Sequence, residues 1–219
     1  MRPVVDLKKI EDATAIMLAN GQYILQAHRF DKTDLGHIKK LLEFAHIPYG
    51  SRVVDMGSGT GAMAHAWGEL RPDLSFVLVN ISQMQLDCVP KFCVQHCCDM
   101  EQVPEADNSF DVAVCCFAIG HTDIEASMTE MSRLVRPGGL IFVYDMIRES
   151  GDNTSLLELG YQVFDALFWT KIQDNLELEL LRFSNPVDYD WFCESDLSDE
   201  YSKYFGGVFP ALWLWKVKD

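Results

Sequence analysis

Apolar positions along this chain follow two rhythms, and the way they alternate predicts its architecture. Over residues 6–19, Leu7, Ile10, Ile16 and Met17 recur at helical spacing until Asn20-Gly21, a pair that tolerates the left-handed conformation in which helices end. A second helix is expected over 33–44, with Leu35, Ile38, Leu41, Leu42 and Phe44 on its apolar side, before Pro48-Tyr49-Gly50. From Val53 the rhythm changes. Short apolar runs over 52–56, 75–80, 92–96, 111–117 and 140–145 read as strands, with helical stretches over 62–69 and 124–134. Short strands separated by helices imply a parallel sheet covered on both faces and joined by right-handed crossovers. Further on, 156–172 reads as a long amphipathic helix and 176–183 as a half-exposed strand. Residues 208–218 read as a last strand in which Pro210 marks an edge or a bulge. Between those strands 188–203 is acidic and aromatic, with Trp191 and Phe192, and reads as a loop or short helices.

Composition narrows the function classes. The 219 residues fit one domain, and 18 basic against 33 acidic residues give a net charge of −15. That balance makes a well-solvated surface and opposes binding to a phosphate backbone, so nucleic acid is a poor partner. Seven cysteines (Cys88, Cys93, Cys97, Cys98, Cys115, Cys116, Cys193) show no disulfide spacing and read as reduced thiols. Cys88, Cys93, His96 and Cys97 lie close in sequence, but without a C-x-x-C pair no metal is expected there. The first residues lack an apolar signal core, and no run reaches the ~18 apolar residues of a membrane span. The expectation is a cytoplasmic protein, with its oligomeric state open and a homodimer among the options.

The chemistry gathers at Asp55-Met56-Gly57-Ser58-Gly59-Thr60-Gly61-Ala62, where a strand runs into glycines at alternate positions. Such a turn lets backbone approach a ligand closely, and the helix that follows offers donor N–H groups and a positive dipole end. Two cofactor classes use it. Dinucleotide folds place an Asp or Glu about 20 residues on to hold the ribose. Here that place falls near Asn80.

The second class fits better. Asp55 two residues before Gly57, Asp99-Met100 after a third strand, Phe110-Asp111-Val112-Ala113-Val114 opening a fourth, and Leu134-Val135-Arg136-Pro137-Gly138-Gly139-Leu140 before a fifth resemble the class I S-adenosylmethionine (SAM) methyltransferases over roughly residues 50 to 147. The stretch Asn80-Ile81-Ser82-Gln83-Met84-Gln85 resembles their branch of cyclopropane-fatty-acid synthases and terpenoid or sterol C-methyltransferases, though Asn80 stands where an acid is usual. The resemblance implies an α/β, Rossmann-like, seven-stranded and mostly parallel sheet with an antiparallel last strand and an N-terminal helical cap. It implies one domain, 1–219, with a cap (1–49), a cofactor half (50–147) and a substrate-side half (148–219). SAM is the implied cofactor and S-adenosylhomocysteine the product. In this reading Gly57, Ser58, Gly59 and Gly61 form the turn, and Asp55 engages the cofactor's amino group. Asn80 and Gln85 serve the ribose, Ile81 packs on adenine, and Asp99 with the Met100 amide reads its edge. Cys116 and Phe117, at the end of strand four, complete the cofactor-binding set.

The acceptor side is less determined. Tyr23, His28 and Phe30 lie in the link between the first two helices and become substrate candidates by resemblance. His121 is a candidate for substrate contact and for catalysis, because imidazole with a pKa near ~6.5 can take a proton at neutral pH. A pocket-closing role for it stands beside that one, since transfer from a sulfonium can run on alignment and desolvation alone. The aromatic flanks Tyr23, Phe30, Trp169, Trp191 and Trp213 suggest an enclosed apolar site for a small acceptor, methylated at carbon or oxygen. The alternatives are a protein methyltransferase drawn to basic tails, and a SAM-binding module without turnover.

Overall fold

The computed structural model describes residues 5–20, 30, 31, 33–89, 93–149, 156, 157, 160–184 and 207–218. Seven strands form one sheet: β1 (Arg52–Met56), β2 (Ser75–Asn80), β3 (Val94–Cys97), β4 (Phe110–Cys116), β5 (Val135–Arg148), β6 (Leu178–Ser184) and β7 (Val208–Val217), in the order β3-β2-β1-β4-β5-β7-β6. The first five pair with one another in parallel, while β7 runs antiparallel to both β5 and β6.

Alternation along each strand splits the core into two layers. Val54 on β1, Ala113 on β4, Val143 on β5 and Trp213 and Trp215 on β7 face one side, where α5 (Ile124–Leu134) brings Met128 and Met131 and α6 (Ala166–Asn175) brings Trp169. Val53, Leu78, Val114, Phe142 and Leu214 face the other. There α2 (Asp34–Ala45) adds Ile38, Leu41 and Phe44, and α3 (Ala62–Leu70) adds Trp67, whose indole N–H donates to the Ile38 carbonyl at 3.0 Å. The N-terminal α1 (Leu7–Ala19) packs against the short α4 (Gln83–Leu86). Side chains cap five of these helices: Asp6, Thr33, Ser82, Asp123 and Asp165 each accept from a backbone N–H one turn on. Among the described α-helices α3 is the exception. It starts at Gly61 (φ 74°) with no side-chain cap. No described helix is long and apolar enough to cross a membrane.

Two expectations need correction. Residues 156–172 do not form one helix: Gly160 is left-handed (φ 72°), 161–165 are irregular, and the helix begins only after the Asp165 cap. The reason is tertiary pairing. Gln162 N–H donates to the Gly120 carbonyl at 2.7 Å and Arg148 N–H to the Phe164 carbonyl at 3.0 Å, so this backbone is committed to its neighbours. Pro210 does not mark an edge strand, because β7 lies between β5 and β6. Pro210 stands opposite Met146 of β5, in a register that runs unbroken from Val208 to Lys216, so no bulge falls there against β5 either. The segment 188–203 and Trp191 lie outside the described residues.

Candidate functional site

In open α/β sheets ligands sit beyond the carboxyl ends of the strands, where strand order reverses. Here β1 and β4 flank that point, and a cavity of about 400 Å³ opens there. The turn after β1 supplies one wall through Asp55, Gly57, Ser58, Gly59 and Thr60. Asn80, Ile81 and Gln85 follow β2, Cys98, Asp99 and Met100 follow β3, and Cys116, Phe117, Ala118 and His121 follow β4.

The turn is shaped by close approach. A Cβ at Gly57 (φ 79°) would run into Ala118 Cβ and come within 2.9 Å of Met100 Cε. Gly59 (φ 54°) differs: a Cβ there would meet no atom within 4 Å, so a side chain at this position would enter the cavity. Asp55 is 1% exposed, and burial pushes its carboxyl up to about 7. Neither Asp55 Oδ2 nor Ser58 Oγ, both buried, has a hydrogen-bond partner among the described residues. Buried polar atoms are normally paired, so two open ones on a single turn point to a ligand with a cationic or hydrogen-bonding end. The uncapped start of α3 adds unpaired backbone donors beside them.

Around Asn80 the polar groups form a chain. Asn80 Nδ2 donates to Gln85 Oε1 at 2.7 Å, Gln85 Nε2 donates to Thr14 Oγ1 at 2.7 Å, and Thr14 Oγ1 donates to the Ile10 carbonyl at 2.8 Å. Ser82 Oγ donates to Glu11 Oε1 at 2.7 Å, a second tie between α4 and α1. Asp99 accepts from the Glu101 N–H at 3.1 Å, which fixes its carboxylate at the loop after β3. Phe117 adopts a left-handed backbone (φ 57°), and its ring packs 5.4 Å from Tyr144 and 6.3 Å from Tyr161. Burial pushes the Cys116 thiol well up, so it offers no thiolate to attack a ligand at neutral pH.

His121 is held from two sides. Its Nδ1 lies 2.8 Å from the Gly160 carbonyl, and its ring meets Tyr161 edge-on at 4.6 Å. A carbonyl can only accept, so Nδ1 carries the proton and Nε2 keeps its lone pair. Burial lowers the imidazole pKa and the Gly160 contact raises it, with burial the larger effect. The ring is therefore neutral at pH 7. Tyr161 in turn donates its hydroxyl to Asp145, a buried carboxyl that desolvation pushes up to about 6.

Not every sequence candidate reaches the cavity. Gly61 does not line it; a Cβ there would come within 2.7 Å of Val89 Cγ2, so this glycine serves the packing of α3. Phe30 is 1% exposed and packs at a tilt against both His37 and Tyr144 in the core, where its N–H donates to His37 Nδ1 at 3.0 Å. Trp169 and Trp213 pack together at 4.6 Å on the α5/α6 face, so they are core and form no pocket wall. Tyr23 and His28 lie outside the described residues. Unforeseen were Val5, Lys9, Ile10, Ala13 and Met17 from the N-terminal segment, with Ile38 and Leu41 from α2, which close the cavity opposite the turn. Their apolar spacing was visible, but helical periodicity does not separate a cavity wall from a core face.

Residues 54–143 match the family model for a methyltransferase domain. Over that stretch the chain carries a methyltransferase domain similar to those of the class I SAM-dependent methyltransferases. Among curated relatives of this family, the ubiquinone/menaquinone biosynthesis C-methyltransferase of Cupriavidus necator is 31% identical over 55% of this chain and 52% of its own. The chain spans about half the length of the curated relatives it matches. Among solved structures, the [4+2]-cyclase SpnF superposes with a TM-score of 0.80 at 15% identity, over 100% of this chain and 98% of that one. Geranyl diphosphate C-methyltransferase from Streptomyces coelicolor A3(2), solved with S-adenosyl-L-homocysteine, gives 0.70 at 13% identity, over 83% of this chain and 77% of that one. SAM is the cofactor of the family, and the open Asp55 and Ser58 atoms and the free space at Gly59 fit a ligand with its charged amino-acid end.

Proposed function

We propose that this chain transfers the methyl group of SAM to a small, partly apolar acceptor, with carbon favoured as the acceptor atom. The observation that carries the reading is the pair of unpartnered buried atoms, Asp55 Oδ2 and Ser58 Oγ, on the glycine turn that walls the cavity. Asp55 and Ser58 would hold the amino-acid end, Asn80 and Gln85 would serve the ribose, and Ile81, Asp99 and Met100 would frame the adenine. Bound SAM supplies an electrophilic methyl on a sulfonium. The chain's own residues orient it, exclude water and, at His121 Nε2, offer a neutral acceptor for a proton. Ile10, Ala13, Met17, Ile38 and Leu41 give the remaining wall its apolar character, which favours a small acceptor over a peptide laid in an open groove. Carbon is favoured by the C-methyltransferases among its relatives and by the Asn80 to Gln85 pattern. Incubating the protein with methyl-labelled SAM and quinone, terpenoid and phenolic acceptors, followed by mass spectrometry of the products, tests the proposal. SAM binding without any transfer would refute turnover.

A second reading has one observation in its favour: a superposition that spans this whole chain is with a protein named for cyclisation. In that reading the cavity binds SAM and the reaction needs no methyl transfer. Conversion of an acceptor with the label retained on SAM would decide for it.

A further inference from the structure

We infer that Thr14, on α1, is a positioning residue for the cofactor ribose, acting through Gln85 to fix which way the Asn80 amide faces. The inference rests on the reading that SAM occupies the cavity that Asn80 and Gln85 line. A carboxylate at this position would present acceptors in any orientation. An amide presents an oxygen in one orientation and a nitrogen in the other, so something must choose.

The choice follows from the polarity of the chain of bonds. The Ile10 carbonyl can only accept, so the Thr14 hydroxyl spends its proton there, at 2.8 Å. Thr14 Oγ1 is left with lone pairs toward Gln85 at 2.7 Å, and only the nitrogen of the Gln85 amide can face it. That turns Gln85 Oε1 toward Asn80, which must then answer with Nδ2, at 2.7 Å. With Nδ2 committed, Asn80 offers the cavity Oδ1, which has no partner among the described residues. Reversing any one member would set two lone pairs against each other. The direction of three groups, the Thr14 hydroxyl and the Gln85 and Asn80 amides, thus follows from the backbone carbonyl of Ile10, 70 residues upstream of Asn80 in sequence on a helix outside the matched segment 54–143. The Ser82 carbonyl adds only a long contact to Asn80 Nδ2 at 3.4 Å. Thr14 is 0% exposed and Gln85 6%, so their bond is shielded from bulk solvent. The Ser82–Glu11 bond at 2.7 Å holds α4 against α1 and keeps the chain in reach.

Ribose hydroxyls need acceptors, and Asn80 Oδ1 supplies a neutral one wherever the chain is intact. The test is calorimetric titration of the full chain with S-adenosylhomocysteine and with its 2′-deoxy and 3′-deoxy counterparts. Wild type should prefer the full ribose. In Thr14→Val, which keeps the shape and removes the hydroxyl, Gln85 is free to turn and Asn80 keeps only its long contact to the Ser82 carbonyl at 3.4 Å. S-adenosylhomocysteine should bind about tenfold more weakly, and the preference over the deoxy compounds should shrink toward one. Thr14→Ser should restore both. Gln85→Met breaks the same chain from within and should repeat the Thr14→Val result if that variant folds poorly. A merely structural Thr14 would lower the melting temperature and leave the ribose preference at its wild-type value, which would overturn the inference. Failure of wild type to bind S-adenosylhomocysteine would overturn the cofactor reading itself, and this inference with it.

Discussion

Asp55 makes SAM affinity a function of pH, with a sign and size that follow from its burial. Free of ligand, its carboxyl sits at about 7 because desolvation penalises the charge and no partner offsets it. Holding the cofactor's ammonium requires the carboxylate, so binding below pH 7 must first remove a proton. At pH 7 about half the molecules are ionised and at pH 5 about 1%, so affinity should fall about fiftyfold, roughly 2.3 kcal/mol, across that interval. An α-amino group near ~7.7–8.0 stays protonated throughout, so the ligand's own charge does not change. Calorimetry at pH 6 in buffers of different ionisation enthalpy should report close to one proton released per SAM bound. Asp145, pushed up to about 6, also titrates in this range, so Asp55→Asn carries the assignment: it should bind weakly and with no slope. The same substitution should stabilise the ligand-free fold. A carboxyl raised from 3.8 to about 7 contributes stability fully present below 3.8 and lost as pH rises through 7, a difference of roughly 4 kcal/mol. Asp55→Asn should recover an amount of that order at pH 8 in urea unfolding. A flat affinity profile between pH 5 and 7 in folded wild type, or an Asp55→Asn protein that keeps the slope, would refute the reasoning.

Gly59→Val should abolish SAM binding while circular dichroism stays native, because the new side chain points into open cavity space; unchanged affinity would place the cofactor elsewhere. Asp99→Ala should weaken SAM by about 1.5–3 kcal/mol, the size of one charge-assisted hydrogen bond, measured by the same titration. His121→Ala separates two roles on one variant: a loss of turnover of ~10²–10⁴-fold at saturating SAM with unchanged affinity marks a base, whereas weakened SAM binding marks a wall. If it is a base, its lowered pKa leaves Nε2 unprotonated by neutral pH, so wild-type activity should already be level at pH 7 and fall only below the ordinary imidazole range.

The strands and helices bounded by turn residues were the most legible parts of the chain. Val53-Val54 before the glycines, Phe76 to Val79 after Pro72-Asp73, and Ile124 to Leu134 between Asp123 and Pro137 each combine an apolar rhythm with a local stop, and all three elements fall where that pattern puts them. Residues 156–172 have the rhythm without the stop. Nothing local shows that Gln162 will pair with Gly120 or that Tyr161 will reach Asp145, so a helix was expected where tertiary bonds win. The glycine turn was legible because positive φ and close approach leave a composition signature. Aromatic content misled, since Phe30, Trp169 and Trp213 have the same letters in a core as at a pocket wall. Thr14 was invisible as a site residue. Its partner is 71 positions away, and a threonine in a helix announces no long-range bond.

The position of β7 between β5 and β6 governs the order in which the sheet can be assembled. During synthesis β5 and β6 emerge first, yet neither pairs with the other; each waits for the strand that follows them both. Until β7 inserts, the two strand edges that it will pair stay open, one ending the five-stranded parallel half and one on β6. Non-local pairings of this kind are slow to form, and unpaired edges are sites of misassociation. Folding should therefore show an early phase confined to β1–β5 and a later one in which the Trp213 and Trp215 environments change together with protection of the β5 amides. Substitutions that weaken β7 should raise aggregation during refolding more than they lower the stability of the finished cofactor half.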